Sequence, residues 1–304
     1  VLKRSTAMQM VEPFVDPHGG VGFSLIDVHD AHYFEHGGWN EGFCGEIIGH
    51  VSNGKGAVIL INANQPAFMY EVIRSIARAY DWPNYVPQHK QVPMDDAALA
   101  QLTGRYRGGA DNSVTIALRN GKLFREPLRE PPTELVHIGN GTFVCRTDDR
   151  SRKFEKNADG TMMLHVSDTN TGEALSDLPR MKDDEHVPYE FIISGDREAA
   201  LKAYAEIHAT HPDEMAVNEQ ILNRNGYDLM SAGELRQARD LLYVAMKLYP
   251  QSANVYDSYA EACLKSGDKA EALTNYTRSL AMDPKNANAA KIIAELKKEG
   301  VVAK

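Results

Sequence analysis

A chain of 304 residues has room for two or three separately cored domains, and 43% hydrophobic with 25% charged residues is a globular balance that excludes wholesale disorder. A formal net charge of −9 gives no reason to expect nucleic acid or an anionic membrane surface as partner, since both attract basic patches. Cys44, Cys145 and Cys263 stand far apart without metal-type spacing, and no apolar run approaches the roughly 20 residues that span a bilayer, so neither a disulfide framework nor a transmembrane segment is expected.

The opening stretch "VLKRSTAMQMVEPFV" lacks the long apolar core of a signal peptide and begins on Val, which reads as a fragment or a processed product. From Gly20 to Asn64 the pattern is that of strands: "GVGFSLIDVHD", "HYFEHGGW" and the two runs of "FCGEIIGHVSNGKGAVILINAN", with Asn53-Gly54 between them as a hairpin signal. After Pro66, the four-residue steps Phe68, Val72, Ile76, Tyr80 predict a helix. "PNYVPQHKQVP" is a linker by composition.

From about Leu99 to Lys182, short runs of alternating apolar and polar residues are punctuated by Asn120-Gly121, Asn140-Gly141 and Asp159-Gly160. This predicts a small antiparallel barrel or sandwich, with Met162-Met163 in its core. No catalytic constellation is visible there.

From Asp196 helical spacing takes over and the chain repeats itself. "GELRQARDLLYVAMKLYP" and "GDKAEALTNYTRSLAMDP" align Gly233 with Gly267, Ala238 with Ala272 and Pro250 with Pro284, each 34 residues apart. The segment resembles the tetratricopeptide repeat, a helix-turn-helix unit that must stack on neighbours to bury its apolar face. Gly226, Ala238, Ala245 and Pro250 stand at signature positions of one copy, and Tyr256, Ala260, Ala272 and Pro284 at those of the next. The segment ending at Pro212 reads as a degenerate earlier half-copy. Cys263 and the tyrosines Tyr243, Tyr249, Tyr256, Tyr259 and Tyr276 are expected in the stacked core.

The stretch His36-Gly37-Gly38-Trp39, then Gly42-Phe43, then "AVILINAN" and an amphipathic helix, resembles the end of a serine hydrolase domain of the β-lactamase and penicillin-binding fold, in its class C-like esterase and peptidase branch. The resemblance covers roughly Gly20 to Tyr85. It implies that His36-Gly37-Gly38 is the third-motif strand lining the catalytic cleft, with glycines that let substrate lie against the backbone. It also implies that the Trp39 N–H is one oxyanion-hole donor and that His36 lines the pocket.

The nucleophilic Ser-x-x-Lys such an enzyme needs is expected upstream of this chain. Its letter matches here, Ser52 to Lys55 and Ser266 to Lys269, fall in turns, and Tyr256-Asp257-Ser258 falls on a repeat helix; none can begin a buried helix facing the strand. This chain alone is expected to be inactive.

The rival reading of the histidines is a metal site built from His29, His32 and His36 with Asp27, Asp30 and Glu35. Only alternate strand residues share a face, so His32 and His36 converge while His29 points away. No ligand run has zinc-motif spacing, and neither metal nor organic cofactor is expected. A third reading makes the stretch a glycine-rich hairpin with solvent-facing histidines, and His18 and His50 ordinary surface or loop residues.

The expected fold is thus α+β and multidomain. Residues 1–87 form a partial β-lactamase-like antiparallel sheet with its C-terminal helix, 88–98 a linker, 99–190 a small antiparallel β-barrel or sandwich, and 191–304 α-helical tetratricopeptide-like repeats. The expected function is the C-terminal portion of an acyl-serine hydrolase acting on a small ester, amide or peptide, with a protein or peptide partner on the repeats. The alternative is a non-catalytic interaction module acting through the repeats alone. The resemblance points to an exported or periplasmic setting, whereas composition suits the cytoplasm equally.

Overall fold

The structure, a computed structural model, describes residues 2–28, 30–40, 42–86, 89–169 and 171–304. A short helix α1 (Arg4–Met10) precedes four strands, β1 (Ser24–Val28), β2 (Ala31–Asn40), β3 (Phe43–His50) and β4 (Gly56–Ile61), which form an antiparallel meander in that order. Registers such as Gly37 opposite Glu46 and Glu46 opposite Ile59 assign each residue to a face. One face carries Tyr33, Cys44, Ile48 and Ile59 and is buried against helix α2 (Pro66–Ala79). The opposite face carries His36, Phe43, Ile47, Val58 and Leu60 and is open, with Leu60 81% and Val58 66% exposed.

Helix α2 forms where the spacing predicts it, but turned. Its buried stripe is Met69, Ile73 and Ala77, while Phe68 and Tyr80 are exposed. The contact face is centred one residue further along, about 100° around the helix, so Val72 and Ile76 flank it half-buried while Phe68 and Tyr80 fall outside it. Lys55, in the β3–β4 turn, donates from Nζ to the carbonyls of Tyr80 (2.6 Å) and Asp81 (2.7 Å), which clamps the C-terminal end of α2 to the hairpin.

Eight further strands follow the short helix α3 (Asp96–Leu102). They are β5 (Gly104–Gly109), β6 (Asn112–Arg119), β7 (Lys122–Pro127), β8 (Thr133–Gly139), β9 (Thr142–Val144), β10 (Arg150–Lys156), β11 (Met162–Asp168) and β12 (Ala174–Pro179). They pair in chain order as one up-and-down sheet. The sheet nearly closes on itself through the Tyr106–Arg180 bridge and the Met181 N–H to Arg105 carbonyl bond. The result is a barrel rather than a sandwich. Tyr106, Ile116, Leu123, Phe143 and Leu164 fill it, and Leu99 of α3 joins that core. Met162 points inward as expected, whereas Met163 must point out by alternation and is only half-buried.

The turn dipeptides divide into two kinds. Asn120-Gly121 and Asn140-Gly141 hold positive φ at both residues, as a type I′ turn demands. At Asn53-Gly54 and Asp159-Gly160 only the glycine does.

Seven α-helices and one short 3-10 helix (Met215–Val217) complete the described chain: α4 (Pro188–Ser194), α5 (Arg197–Thr210), α6 (Glu219–Ser231), α7 (Leu235–Leu248), α8 (Ala253–Lys265), α9 (Lys269–Met282) and α10 (Ala287–Lys298). They share one continuous core that includes Tyr204, Leu222, Leu241, Tyr259, Tyr276 and the fully buried Ala238, Ala245, Ala260 and Ala272. The small residues serve close approach. A Cβ on Gly226 would fall 2.5 Å from the Leu242 side chain, so only glycine lets α6 seat on α7 there. Helices α7 and α9 end two residues before Pro250 and Pro284. Cys263 is fully buried, and burial pushes its thiol up to about 11, which leaves it unreactive.

Candidate functional sites

The His36–Trp39 segment lies on β2, an interior strand that becomes an edge partway along. The ladder with β1 ends where Ser24 faces Glu35, so among the described strands His36–Asn40 pair with β3 alone. The Val51 N–H donates to the His32 carbonyl at 2.9 Å, so alternation turns the peptide groups of His36, Gly38 and Asn40 toward β3. Those of Gly37 and Trp39 therefore point out of the open edge.

The two glycines differ in what surrounds them. A Cβ on Gly37 would meet the Glu46 carboxylate at 2.5 Å, whereas nothing lies within 4 Å of one on Gly38. Gly37 has a structural reason to be glycine; Gly38 faces empty space on the open face, beside His36. His36 is exposed and meets Phe23 edge-on at 6.5 Å. Trp39, 59% exposed, is fixed by its indole N–H donating to Asn64 Oδ1 at 3.0 Å. The same oxygen accepts the Gly42 N–H at 2.8 Å, so Asn64 pins the hairpin tip.

A group of acids sits on the other face of this strand. Glu46 is buried and its Oε1 finds no partner among the described residues. Burial, reinforced by Glu46 and Asp149, pushes the Glu35 carboxyl up to about 7. Burial likewise raises Glu46. Arg74 of α2, itself buried, pairs with Asp149 of the barrel at 2.6 Å and so ties the first sheet to the second. Sequence reading passes over this cluster because its members come from β2, β3, α2 and the loop before β10, and nothing in their spacing joins them.

The structure brings together no ligand set around the histidines. His32 Nδ1 lies 2.6 Å from Asp27 Oδ1, and among the described residues no group of three His, Cys, Asp or Glu side chains could hold a metal ion. His29 lies outside the described residues. His50 Nδ1 accepts the Ser52 N–H at 3.2 Å and stacks edge-on with Tyr33. His18 is exposed, as a surface loop residue, and donates its backbone N–H to Asp16 at 2.8 Å.

The letter matches to a nucleophile motif are all occupied otherwise. Lys55 is the clamp on α2, and Lys269 pairs with Glu299 at 2.7 Å. Ser266 donates to the Ala262 carbonyl at 2.7 Å, and Ser258 is buried among the repeat helices.

A second surface lies along the first helices of successive pairs, α6, α8 and α10. The Tyr227 hydroxyl donates to Glu261 Oε2 at 2.9 Å, and these two residues are 34 apart, the same position one repeat on. Asn223 and Asp257 are likewise one repeat apart, and Asp257 accepts from Asn286 Nδ2 at 2.7 Å. Glu261 also pairs with Lys265 at 2.9 Å. Half-buried polar side chains thus recur at fixed positions on adjacent helices. The 34-residue offset could have found them, had polar as well as small positions been compared.

No protein-family model matches the sequence, and no curated protein matches it. Among solved structures, a MamA mutant aligns with 37% of this chain and 80% of its own, at 18% identity and a TM-score of 0.32. The first tetratricopeptide domain of Spaghetti (RPAP3) bound to an HSP90 peptide aligns with 37% of this chain and 86% of its own, at 16% identity and a TM-score of 0.27. PilF of Pseudomonas aeruginosa aligns with 37% of this chain and 50% of its own, at 21% identity and a TM-score of 0.27. At these TM-scores the repeat assignment stands on the chain's own 34-residue register and helix packing.

Proposed function

We propose that the chain is a protein-interaction module whose repeat helices bind a peptide or protein segment along the row Asn223, Tyr227, Asp257 and Glu261. The observation that carries this reading is the recurrence of half-buried polar side chains one repeat apart on α6 and α8, one pair of which, Tyr227 and Glu261, is hydrogen-bonded across the two helices. A stacked array offers such a row as a ladder of equivalent contacts to an extended chain. Selecting binders from a displayed random-peptide library on the full chain tests it. A selected peptide is expected to lose at least tenfold in affinity on Tyr227→Ala or Asp257→Ala and to be indifferent to Lys297→Ala at the far end of α10. Peptides that bind all three variants alike would overturn the reading.

A second reading is favoured by the edge of β2. Residues 1–87 would be the last strands and closing helix of a β-lactamase-like serine hydrolase, joined by the linker 88–98 to the β domain 99–190 and the repeats 191–304. Support comes from the open peptide groups of Gly37 and Trp39, from Gly38 with no neighbour that requires a glycine, and from an apolar sheet face without a mate. In that reading the Trp39 N–H stabilises an oxyanion, His36 lines the pocket, and an ester, amide or peptide is cleaved through an acyl-serine formed on a residue that this chain lacks. A fluorophosphonate label is expected to leave this chain unmarked. It is expected to mark a longer gene product at a Ser-x-x-Lys serine, and an upstream region without that motif would end the reading.

A further inference from the structure

The eight-stranded barrel is closed at one end and open at the other. Helix α3 lies at the closed end, where a Cβ on Gly121 of the β6–β7 turn would sit 3.4 Å from Asp96, and Leu99 enters the core. At the opposite end, where β6 and β10 begin and β7 ends, a cavity of about 270 Å³ opens. Its floor is apolar, made by Val114, Ile116, Leu164, Val166 and Leu178. Its rim carries four arginines, Arg125, Arg129, Arg150 and Arg152, against one carboxylate, Glu130.

A structural account covers part of this. Arg152 is buried and bonds Asp148 at 3.0 and 2.5 Å, which fixes the loop before β10. Arg129 bonds Asp111 at 2.6 Å and lies over the Tyr189 ring at 3.7 Å, which fixes the barrel against α4. Asp148 and Asp111 hold these guanidiniums from behind and do not line the cavity. Arg125 bonds Glu130 through Nη2 alone, at 2.9 Å.

Arg150 is what that account leaves over. By alternation it points inward with Arg152 and Phe154, yet among the described residues its side chain makes no hydrogen bond or ion pair within 4 Å, although Asp168 stands opposite it on β11. A rim guanidinium with all its donors unspent, above an apolar floor and beside guanidiniums already held in place, is available to a planar anion. The mouths of small barrels that are not filled by side chains are places where small ligands bind.

We propose that the open end of the barrel binds a small carboxylate with an apolar tail, the carboxylate on Arg150 and Arg125 and the tail on Ile116, Leu164 and Val166. This site is independent of the repeat surface and of the β2 edge.

Titration calorimetry of the full chain with octanoate tests the assignment, with octylamine and inorganic phosphate as comparison probes. Octanoate is expected to bind at one site, octylamine not to bind, and phosphate to bind at least tenfold more weakly than octanoate. Arg150→Gln, an exposed change, is expected to weaken octanoate at least tenfold. Ser176→Trp, which fills the mouth from β12, is expected to abolish it and serves should the first variant not fold. The open apolar face of the first sheet is untouched by both variants. Octanoate binding unchanged in both, octylamine binding as well as octanoate, or no saturable binding at all would overturn the proposal.

Discussion

The carboxylate of Glu46 lies directly over the α-carbon of Gly37, so the identity of one residue constrains the other across the β2–β3 pair. Gly37→Ala is expected to lower stability by about 1–3 kcal/mol through overpacking, and by less than half as much in a Glu46→Ala background. Gly38→Ala, with nothing to meet, is expected to stay within about 0.5 kcal/mol. Urea unfolding of the four variants measures the coupling. If Gly37→Ala costs the same with and without Glu46, the contact is not what excludes a side chain.

Glu35 makes stability depend on pH in a stated direction. Its carboxyl moves from the ordinary 4.5 in the unfolded chain up to about 7 in the folded chain, so the fold binds this proton more tightly. The stabilisation is complete below about pH 4.5 and is lost as pH rises toward 7, by roughly 1–2 kcal/mol once partial solvation is allowed for. Glu35→Gln is expected to raise the melting temperature at pH 8 and to leave it nearly unchanged at pH 4. Parallel melting curves for the two proteins across that range would contradict the placement of Glu35.

Gly226 lets α6 seat directly on Leu242 of α7. Gly226→Val is expected to cost about 3 kcal/mol or more, and the same change in a Leu242→Ala background to cost clearly less, because the space it needs has been vacated. Guanidinium unfolding followed by circular dichroism at 222 nm, where helices dominate, reports it.

Lys55 offers a test of the clamp on α2. Replacing it with methionine keeps the stem but removes two charge-assisted bonds to the helix end. A loss of about 1 kcal/mol is expected, with faster amide exchange confined to the last turn of α2. Uniform exchange across the helix would show that the clamp is not what holds that turn.

Legibility from sequence followed the range over which each feature is written. The repeat is local and periodic, so Gly226, Ala238 and Pro250 announce it within one copy, and Asn120-Gly121 and Asn140-Gly141 announce their turns in two letters. Barrel closure depends on Tyr106 meeting Arg180 across the whole unit, and no local pattern records it. Phe68 and Met163 show the complementary error: both belong to the right element, but which face each presents depends on a single residue of phase. The acids Glu35, Glu46 and Asp149 and the inward-facing Arg150 look like ordinary solvated charges until strands distant in sequence are set beside each other. The β2 edge was half legible, since its glycines are visible in sequence while the early end of β1, which exposes it, is not.

One strand of the first sheet has an implication for handling the protein. β4, Gly56–Ile61, borders the meander with β3 as its sole described neighbour, and its six residues carry no charge and no proline. Such a ribbon is a template for like copies, and natural edges are usually guarded by a lysine or a bulge that this one does not have. A fragment ending before the barrel is therefore expected to grow fibrils with the 4.7 Å cross-β spacing, and a single Val58→Lys gatekeeper to keep it dispersed.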